Sequence, residues 1–196
     1  MTTTIDHKTV DQKLARFDID AKASLFTVQA FAAGMIAVVA HSPKFAIRDI
    51  VGQIQFIPGS LQKGSVELTI NVGSLELMDE VSSSDRREIE RVMFDEVLEK
   101  KLYPRVEYKS ARVSVATLSE NTHKVSVAGD LTLHGITRGM GVDAQVVAGE
   151  DAVRAQGSFS ITQVDYGLKV ASIAGGTLKL RDELKFVFYI IGRRKD

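Results

Sequence analysis

Hydrophobic and polar residues alternate along most of this chain, most regularly between Lys124 and Val147. In that stretch two alternating runs flank a short polar turn that contains His134 and Gly135. Side chains of a β-strand point to opposite faces with a period of two, so each run can bury one face and expose the other. The pattern predicts an antiparallel hairpin with one apolar face.

The same alternation recurs on both sides of this hairpin, in segments bounded by turn residues such as Pro58-Gly59. The further predicted strands are Phe17–Ile19, Leu25–Phe31, Phe45–Phe56, Ser65–Val72, Arg105–Val115, Ala152–Ile161, Leu178–Arg181 and Glu183–Ile191. Within the strand that begins at Phe45, the apolar positions change parity near Asp49. One inserted residue would produce this change, so a β-bulge is predicted there.

One segment, within Ser84–Lys100, has the period of a helix. Its apolar residues Ile89, Met93 and Val97 recur at a spacing of four, and Asp85 is placed to begin a capping box. We expect this single helix to pack on the sheet or to cap one end of it.

The apolar stretch Phe31–Ala40 (FAAGMIAVVA) has no clear period. Its alanines and methionine favour a helix, whereas Gly34 and its paired valines do not, so a short helix or an irregular segment is predicted. It is far shorter than the ~20 residues of a membrane-spanning helix. Two interpretations stand: the segment is part of the core, which is the usual fate of apolar runs, or it is a flap at the mouth of a cavity.

At least eight strands with short connections and one helix predict an all-β sandwich or barrel. Strands that follow one another in this way can close on themselves and so leave no exposed edge. Gly52, Gly129 and Gly157 fall on the apolar faces of three different strands. They either leave part of the interior unfilled, which creates an apolar cavity, or they let strands curve and approach closely.

The composition fits a folded protein without nucleic-acid-binding character. The 196 residues are interpreted as a polar arm (1–15) followed by a single barrel domain (16–192). Basic and acidic residues number 25 each, so no general attraction for nucleic acid is expected. The chain has no cysteine, which excludes disulfides and thiolate catalysis. No secretory signal is visible, so a cytoplasmic location is expected, or a periplasmic one if a leader has been removed.

Motifs for catalysis and metal binding are missing from the sequence, so no catalytic residue, metal or cofactor is expected. The histidines, none of them closely spaced, are His7, His41, His123 and His134. His134 most simply caps its hairpin turn; contact with the head group of a ligand is the second interpretation. Arg48 and Arg138 have the chemistry to bind a phosphate or a carboxylate, although most exposed arginines are simply solvated.

Four stretches of the chain resemble the YceI-like, polyisoprenoid-binding family. They are GDLTLHGITR (Gly129–Arg138), FSITQVDYGL (Phe159–Leu168), FDIDAKASLFTVQAF (Phe17–Phe31) and MFDEVLEKKLYPRVEY (Met93–Tyr108). The resemblance implies an all-β fold: an up-and-down, antiparallel, eight-stranded, lipocalin-like barrel with one main α-helix packed against it. It also implies a bacterial protein, a homodimer, and a long apolar cavity for an isoprenoid chain such as a polyprenyl phosphate or a quinone tail.

The function predicted from these observations is binding or carriage of one long apolar molecule, an isoprenoid, quinone tail or fatty-acyl lipid, without stable membrane insertion. The residues expected to line the cavity are Ile54, Phe56, Leu68, Ile70, Val127, Gly129, Leu131, Val142, Gly157, Phe159, Phe186 and Phe188. The head group is expected at His134, Arg138 and Arg48.

Two alternatives stay open at this point. An enzyme acting on a lipid-like substrate would need a buried polar pair, such as His134 with Asp130 or Asp165 with Tyr166. A barrel filled by its own side chains would be a structural or stress-response scaffold.

Overall fold

The computed structural model describes residues 14–33, 42–170, 172–173 and 178–195, and most of them lie in strands. The strands are β1 (Ala15–Ile19), β2 (Leu25–Ala32), β3 (Lys44–Ile47), β4 (Ile50–Ile57), β5 (Ser60–Asn71), β6 (Leu75–Leu77), β7 (Arg105–Ser119), β8 (Thr122–Leu133), β9 (Ile136–Ala148), β10 (Ala152–Thr162), β11 (Ser172–Ile173) and β12 (Leu178–Arg194). A helix, α1 (Ser83–Arg91), continues through a wider π-helical turn over Val92–Val97. Most of the predicted segment Phe31–Ala40 lies outside the described residues.

The strands close an eight-membered barrel because each one pairs antiparallel with the next. Three of the eight are bent into two halves: β1 with β2, β3 with β4, and β5 with β6. The last strand, β12, closes the ring by pairing with β10 on one side and with β1 and β2 on the other. The predicted up-and-down barrel with one helix is therefore confirmed.

The parity change predicted near Asp49 coincides with one of these bends. The segment Phe45–Phe56, predicted as one strand, is divided there into β3 and β4. Arg48 and Asp49 lie between the two halves, and the amide of Arg48 donates to the carbonyl of Ser74 (3.3 Å).

The β8–β9 turn consists of His134 and Gly135 alone. Both residues have positive φ, +52° and +74° respectively. Positive φ at both central residues defines a type I′ turn, whose twist matches that of the two strands it joins. Glycine adopts this conformation without strain, whereas histidine does not. The His134 conformation is supported by a 2.8 Å hydrogen bond between its Nε2 and Glu99 Oε2.

The helix α1 lies across one end of the barrel, which we call the helix end. Ile89, near the end of α1, and Met93, in the π-helical turn, pack against the cluster Val28, Phe45 and Leu77 on β2, β3 and β6. Val97, at the end of the π-helical turn, and Leu98 after it pack against a cluster formed by β7, β8, the end of β10 and the segment after it.

The N-terminal cap of α1 lies earlier than the sequence predicts. Ser82 is the capping residue, because its Oγ accepts a hydrogen bond from the amide of Asp85 (3.1 Å). The Asp85 carboxylate in turn accepts from the Ser82 hydroxyl (2.7 Å). Ser82 thus takes the N-cap role predicted for Asp85. Asp85 occupies the N3 position, where its carboxylate bonds to the Ser82 hydroxyl and not, as in a capping box, to the backbone amide.

The two ends of the described chain meet where β1 pairs with β12, far from the helix end. We call this β1–β12 pairing the seam. Two acidic residues of the chain near it form side-chain contacts. Asp20 accepts from Arg193 Nε (2.6 Å), and Asp18 accepts from Gln53 Nε2 and lies 3.0 Å from Lys195 Nζ. The barrel is therefore closed by side-chain contacts as well as by the backbone ladder.

Acid is expected to weaken this seam. The hydrogen bond from Arg193 lowers the pKa of Asp20, and the bonds from Gln53 and Lys195 lower that of Asp18. A carboxyl group whose pKa is lowered by folding stabilises the fold above its unfolded pKa, about 3.9, and loses that effect as the pH falls through the folded pKa. We expect Asp20→Asn to lower the urea midpoint at neutral pH and to match the wild type in strong acid.

The comparison is made by urea unfolding of both proteins across that pH range. Glu120→Gln, in the exposed β7–β8 turn, is the control for loss of one negative charge. A difference between wild type and Asp20→Asn that persisted unchanged in strong acid would contradict the seam as its origin.

Candidate functional site

A cavity with a volume of about 270 Å³ extends through the barrel. Met93 and Leu98 of the helical segment line it at the helix end, and Leu61 and Val153 line it near the other end. It therefore spans the distance between the two ends of the barrel. A cavity of this extent matches an elongated guest better than a compact one.

The wall is built from the inward-facing positions of the strands. On β9, for example, the alternate residues Met140, Val142, Ala144 and Val146 all line the cavity. This follows directly from the two-residue period of a strand.

An aromatic cluster forms part of the same wall. The rings of Phe159 and Phe186 stack with their centroids 4.8 Å apart and their planes 7° from parallel. Phe26 meets both rings edge-on, at 6.3 and 6.1 Å. Stacked and edge-to-face pairs are the favoured arrangements of aromatic side chains, so this part of the wall is well fixed.

The cavity wall is almost wholly apolar, and none of the described residues that line it carries a formal charge. The polar side chains among them are Gln55, Ser65, Tyr108 and Gln163. The Tyr108 hydroxyl donates long hydrogen bonds to the carbonyls of Val127 (3.3 Å) and Met140 (3.5 Å). Burial raises the pKa of Tyr108 to about 12, so the side chain stays neutral near pH 7. Gln163, only 2% exposed, donates to the carbonyl of Arg181 (2.8 Å).

Ten of the twelve residues expected at the cavity lie at its wall. They are Ile54, Phe56, Leu68, Ile70, Val127, Leu131, Val142, Phe159, Phe186 and Phe188. Gly129 and Gly157 do not line it. A Cβ atom at Gly129 would collide with the carbonyl oxygen of Lys109, and one at Gly157 with that of Asp143.

The expectation that Gly129 and Gly157 line the cavity is therefore wrong. They permit close approach of neighbouring strands and do not supply the cavity volume, and Gly52 does the same against the carbonyl of Glu67. Small side chains that do line the cavity include Ala144 on β9 and Ala155 on β10.

The three residues expected to hold a head group are not brought together at the cavity, and none of them lines it. Each instead contacts an acidic residue. Arg48 Nε lies 2.7 Å from Glu76 Oε2, and Arg138 Nε donates to the carbonyl oxygen of Asp165 (2.6 Å). His134 is bound to the end of the helical segment through Glu99, as described above.

The two polar pairs considered for an enzyme are not formed. His134 bonds to Glu99 and not to Asp130, and the Asp165 carboxylate lies 3.5 Å from Arg138. Tyr166 is buried, and burial raises its pKa. Within the described ranges, no group of three or more acidic or histidine side chains could hold a metal ion, and no helix is long and apolar enough to cross a membrane.

The contribution of the helix to the cavity was not predicted from the sequence. The helical segment and the residue after it supply Ile89, Val92, Met93, Val97 and Leu98 to the wall. Their four-residue spacing was visible in the sequence. It predicts an apolar face on a helix, but it does not specify what that face covers.

Comparison with known proteins agrees with the barrel geometry. No curated protein matches the sequence at a significant level. BcnA from Burkholderia cenocepacia has a similar structure, with 20% sequence identity and a TM-score of 0.66 over 88% of this chain and 98% of that chain. A polyisoprenoid binding domain from Saccharophagus degradans, implicated in plant cell wall breakdown, gives 16% identity and a TM-score of 0.65 over 93% of this chain and 100% of that chain.

A third similar structure is the YceI protein of Campylobacter jejuni, with 15% identity and a TM-score of 0.58 over 76% of this chain and 84% of that chain. At these identities the structural likeness establishes the fold alone. The family is established by sequence, because the model of the YceI-like domain matches residues 17–190, nearly the whole chain. The chain therefore belongs to the YceI-like domain family.

Proposed function

We propose that this protein binds one long apolar molecule, an isoprenoid chain, a quinone tail or a fatty-acyl lipid, inside the barrel. The observation that carries the proposal is the cavity, which spans the barrel and has no charged side chain among its described lining residues. Burial of each CH₂ group contributes ~0.8 kcal/mol. A chain of about twelve carbons therefore gains on the order of 10 kcal/mol, before the cost of ordering it is subtracted.

The stability of the barrel also favours an occupied cavity. Side chains that line an unfilled apolar space lack the contacts that close packing would give them. A guest that fills the space restores the lost contacts, so the occupied barrel is expected to be the more stable form.

The similar structures support an isoprenoid as the first ligand to test. The Saccharophagus degradans protein is a polyisoprenoid binding domain, and it covers 93% of this chain. The two remaining alternatives have less support. A scaffold would have a filled interior, and an enzyme would need polar groups free to act at the wall, where Tyr108 and Gln163 already bond to backbone carbonyls.

The proposal is tested by extracting the purified protein with organic solvent and identifying the extract by mass spectrometry. We expect a prenyl or acyl lipid, and we expect native mass spectra to show the matching added mass. The extracted protein should melt at a lower temperature and recover when polyprenyl phosphate, a quinone or a fatty acid is returned. An empty barrel after gentle purification that takes up none of these lipids would refute the proposal.

A further inference from the structure

Three neighbouring loops at the helix end carry exposed aliphatic side chains. Leu102, in the segment between α1 and β7, is 69% exposed, and Val164, just after β10, is 59% exposed. Ile136, at the start of β9, and Val170 are also exposed. We call these four residues the apolar rim.

Side-chain contacts hold the three loops of the rim together. The ring of Tyr103 packs on that of His134 with centroids 4.2 Å apart, and His134 bonds to Glu99 in the loop after the helix. On the other side of the hairpin, Ile136 lies against Gly167, because a Cβ atom there would be 3.2 Å from Ile136 Cδ1. The exposed side chains therefore belong to one fixed surface and not to independent loops.

Two exposed lysines directly precede two of the rim residues in the sequence. Lys101 precedes Leu102, and Lys169 precedes Val170. Among the described residues, neither lysine forms an ion pair.

The acidic residues of the same loops are mostly engaged. Glu99 is bound to His134, and the Asp165 carboxylate lies beside Arg138. Asp182 accepts a hydrogen bond from the amide of Val164 (3.0 Å). Lys101 and Lys169 are therefore cations at this surface that no carboxylate pairs with among the described residues.

We propose that the apolar rim docks on an anionic lipid surface, with Lys101 and Lys169 at the head groups. Exposed aliphatic side chains beside lysines, as Leu102 and Val170 are, have the chemistry of interfacial membrane binding. The four residues project from loop ends and do not line a groove, so they match a fluid bilayer better than a rigid protein partner, which needs a broad complementary area. The choice of a lipid surface rests in part on the proposed function, because the helix end, where Met93 and Leu98 line the cavity, is the end that would face the bilayer.

Tryptophan fluorescence provides the test, because the chain has no native tryptophan. Leu102→Trp places one on the rim. The matched control is Leu118→Trp, at an equally exposed leucine (62%) at the far end of β7. With vesicles of phosphatidylcholine mixed with phosphatidylglycerol, we expect the emission of Leu102→Trp to shift to shorter wavelength and that of Leu118→Trp to stay unchanged. Equal shifts for both variants, or none for either, would overturn the proposal.

The lysines are tested by vesicle sedimentation. Lys101→Ser combined with Lys169→Ser should lower the partition coefficient about 30-fold, because each lysine near an anionic surface contributes roughly a fivefold factor. The control pair, Lys22→Ser with Lys63→Ser, removes the same charge away from the helix end and should leave binding unchanged. Equal losses in both pairs would refute docking by the rim.

A wild-type protein that binds neither mixed vesicles nor phosphatidylcholine alone would also overturn the proposal, and an acidic protein partner would then be the occupant to consider. The result does not depend on the cavity hypothesis. Uptake of a prenyl lipid dispersed in detergent, without any vesicle, tests the cavity separately, so failure of either proposal can be distinguished from failure of the other.

Discussion

Ala144→Phe is expected to weaken the binding of a long apolar ligand strongly while the barrel remains folded. Ala144 lines the cavity on β9 and packs against both of the apolar clusters that fill the barrel around Phe17 and Phe26. A phenyl ring there would occupy volume that an extended chain needs. Displacement of about four CH₂ groups costs ~3 kcal/mol, which corresponds to a loss in affinity on the order of 100-fold. Fluorescence titration with a labelled fatty acid or prenyl lipid measures the change.

The neighbouring residue offers a matched control. Gln145 is exposed on the outer face of the same strand, so Gln145→Phe adds the same ring outside the barrel. We expect this variant to bind like the wild type, and both variants to keep the β-sheet circular dichroism spectrum. Normal binding by Ala144→Phe would mean that the ligand does not occupy the middle of the cavity, and the carrier hypothesis would then lose its main support.

The fold could be predicted from the sequence because its determinants are local. Alternation of apolar and polar positions is set within each strand, and the His134-Gly135 turn is a two-residue unit. The bending of three strands into halves was harder to predict. The segments that form β1 and β2 were predicted as separate strands, and the parity change near Asp49 marked the division between β3 and β4, but neither pattern showed that the halves belong to one bent strand of the barrel.

The cavity wall was largely predictable for the same reason. Once a barrel is assumed, the alternate apolar residues of every strand must face inward. This rule places residues such as Val127 and Phe186 at the wall. The contribution of the helix was not predictable, because a helical period defines an apolar face without naming its partner. The position of α1 across the barrel end depends on contacts such as that of Ile89 with the β2–β3 side.

The basic residues show where sequence reasoning failed. Partners of Arg48, Arg138 and His134 lie 28, 27 and 35 positions away in the chain. No local pattern reports such pairings. Without them, an arginine that forms a surface ion pair has the same appearance in a sequence as one that binds a ligand.

The prediction that the glycines create cavity volume failed for a related reason, because the atoms that approach them belong to neighbouring strands. Gly157 allows a direct test. Gly157→Ala is expected to destabilise the barrel by about 1–3 kcal/mol, the usual cost of overpacking. The added Cβ atom would collide with the carbonyl oxygen of Asp143 and lie 2.8 Å from the ring of Phe188. Relief would require the paired strands β9 and β10 to separate at the Gly157–Ala144 position, which weakens the ladder. Urea unfolding measures the difference.

Gly141, in the neighbouring strand β9, is the matched control because an added Cβ atom there would have nothing within 4 Å. Gly141→Ala is expected to leave stability unchanged or to raise it by about 0.5 kcal/mol, since alanine restricts the unfolded chain. Equal stability of the two alanine variants would mean that strand β10 has room at Gly157. That position would then add volume to the barrel interior, and the space available to a ligand would be larger than the cavity described above.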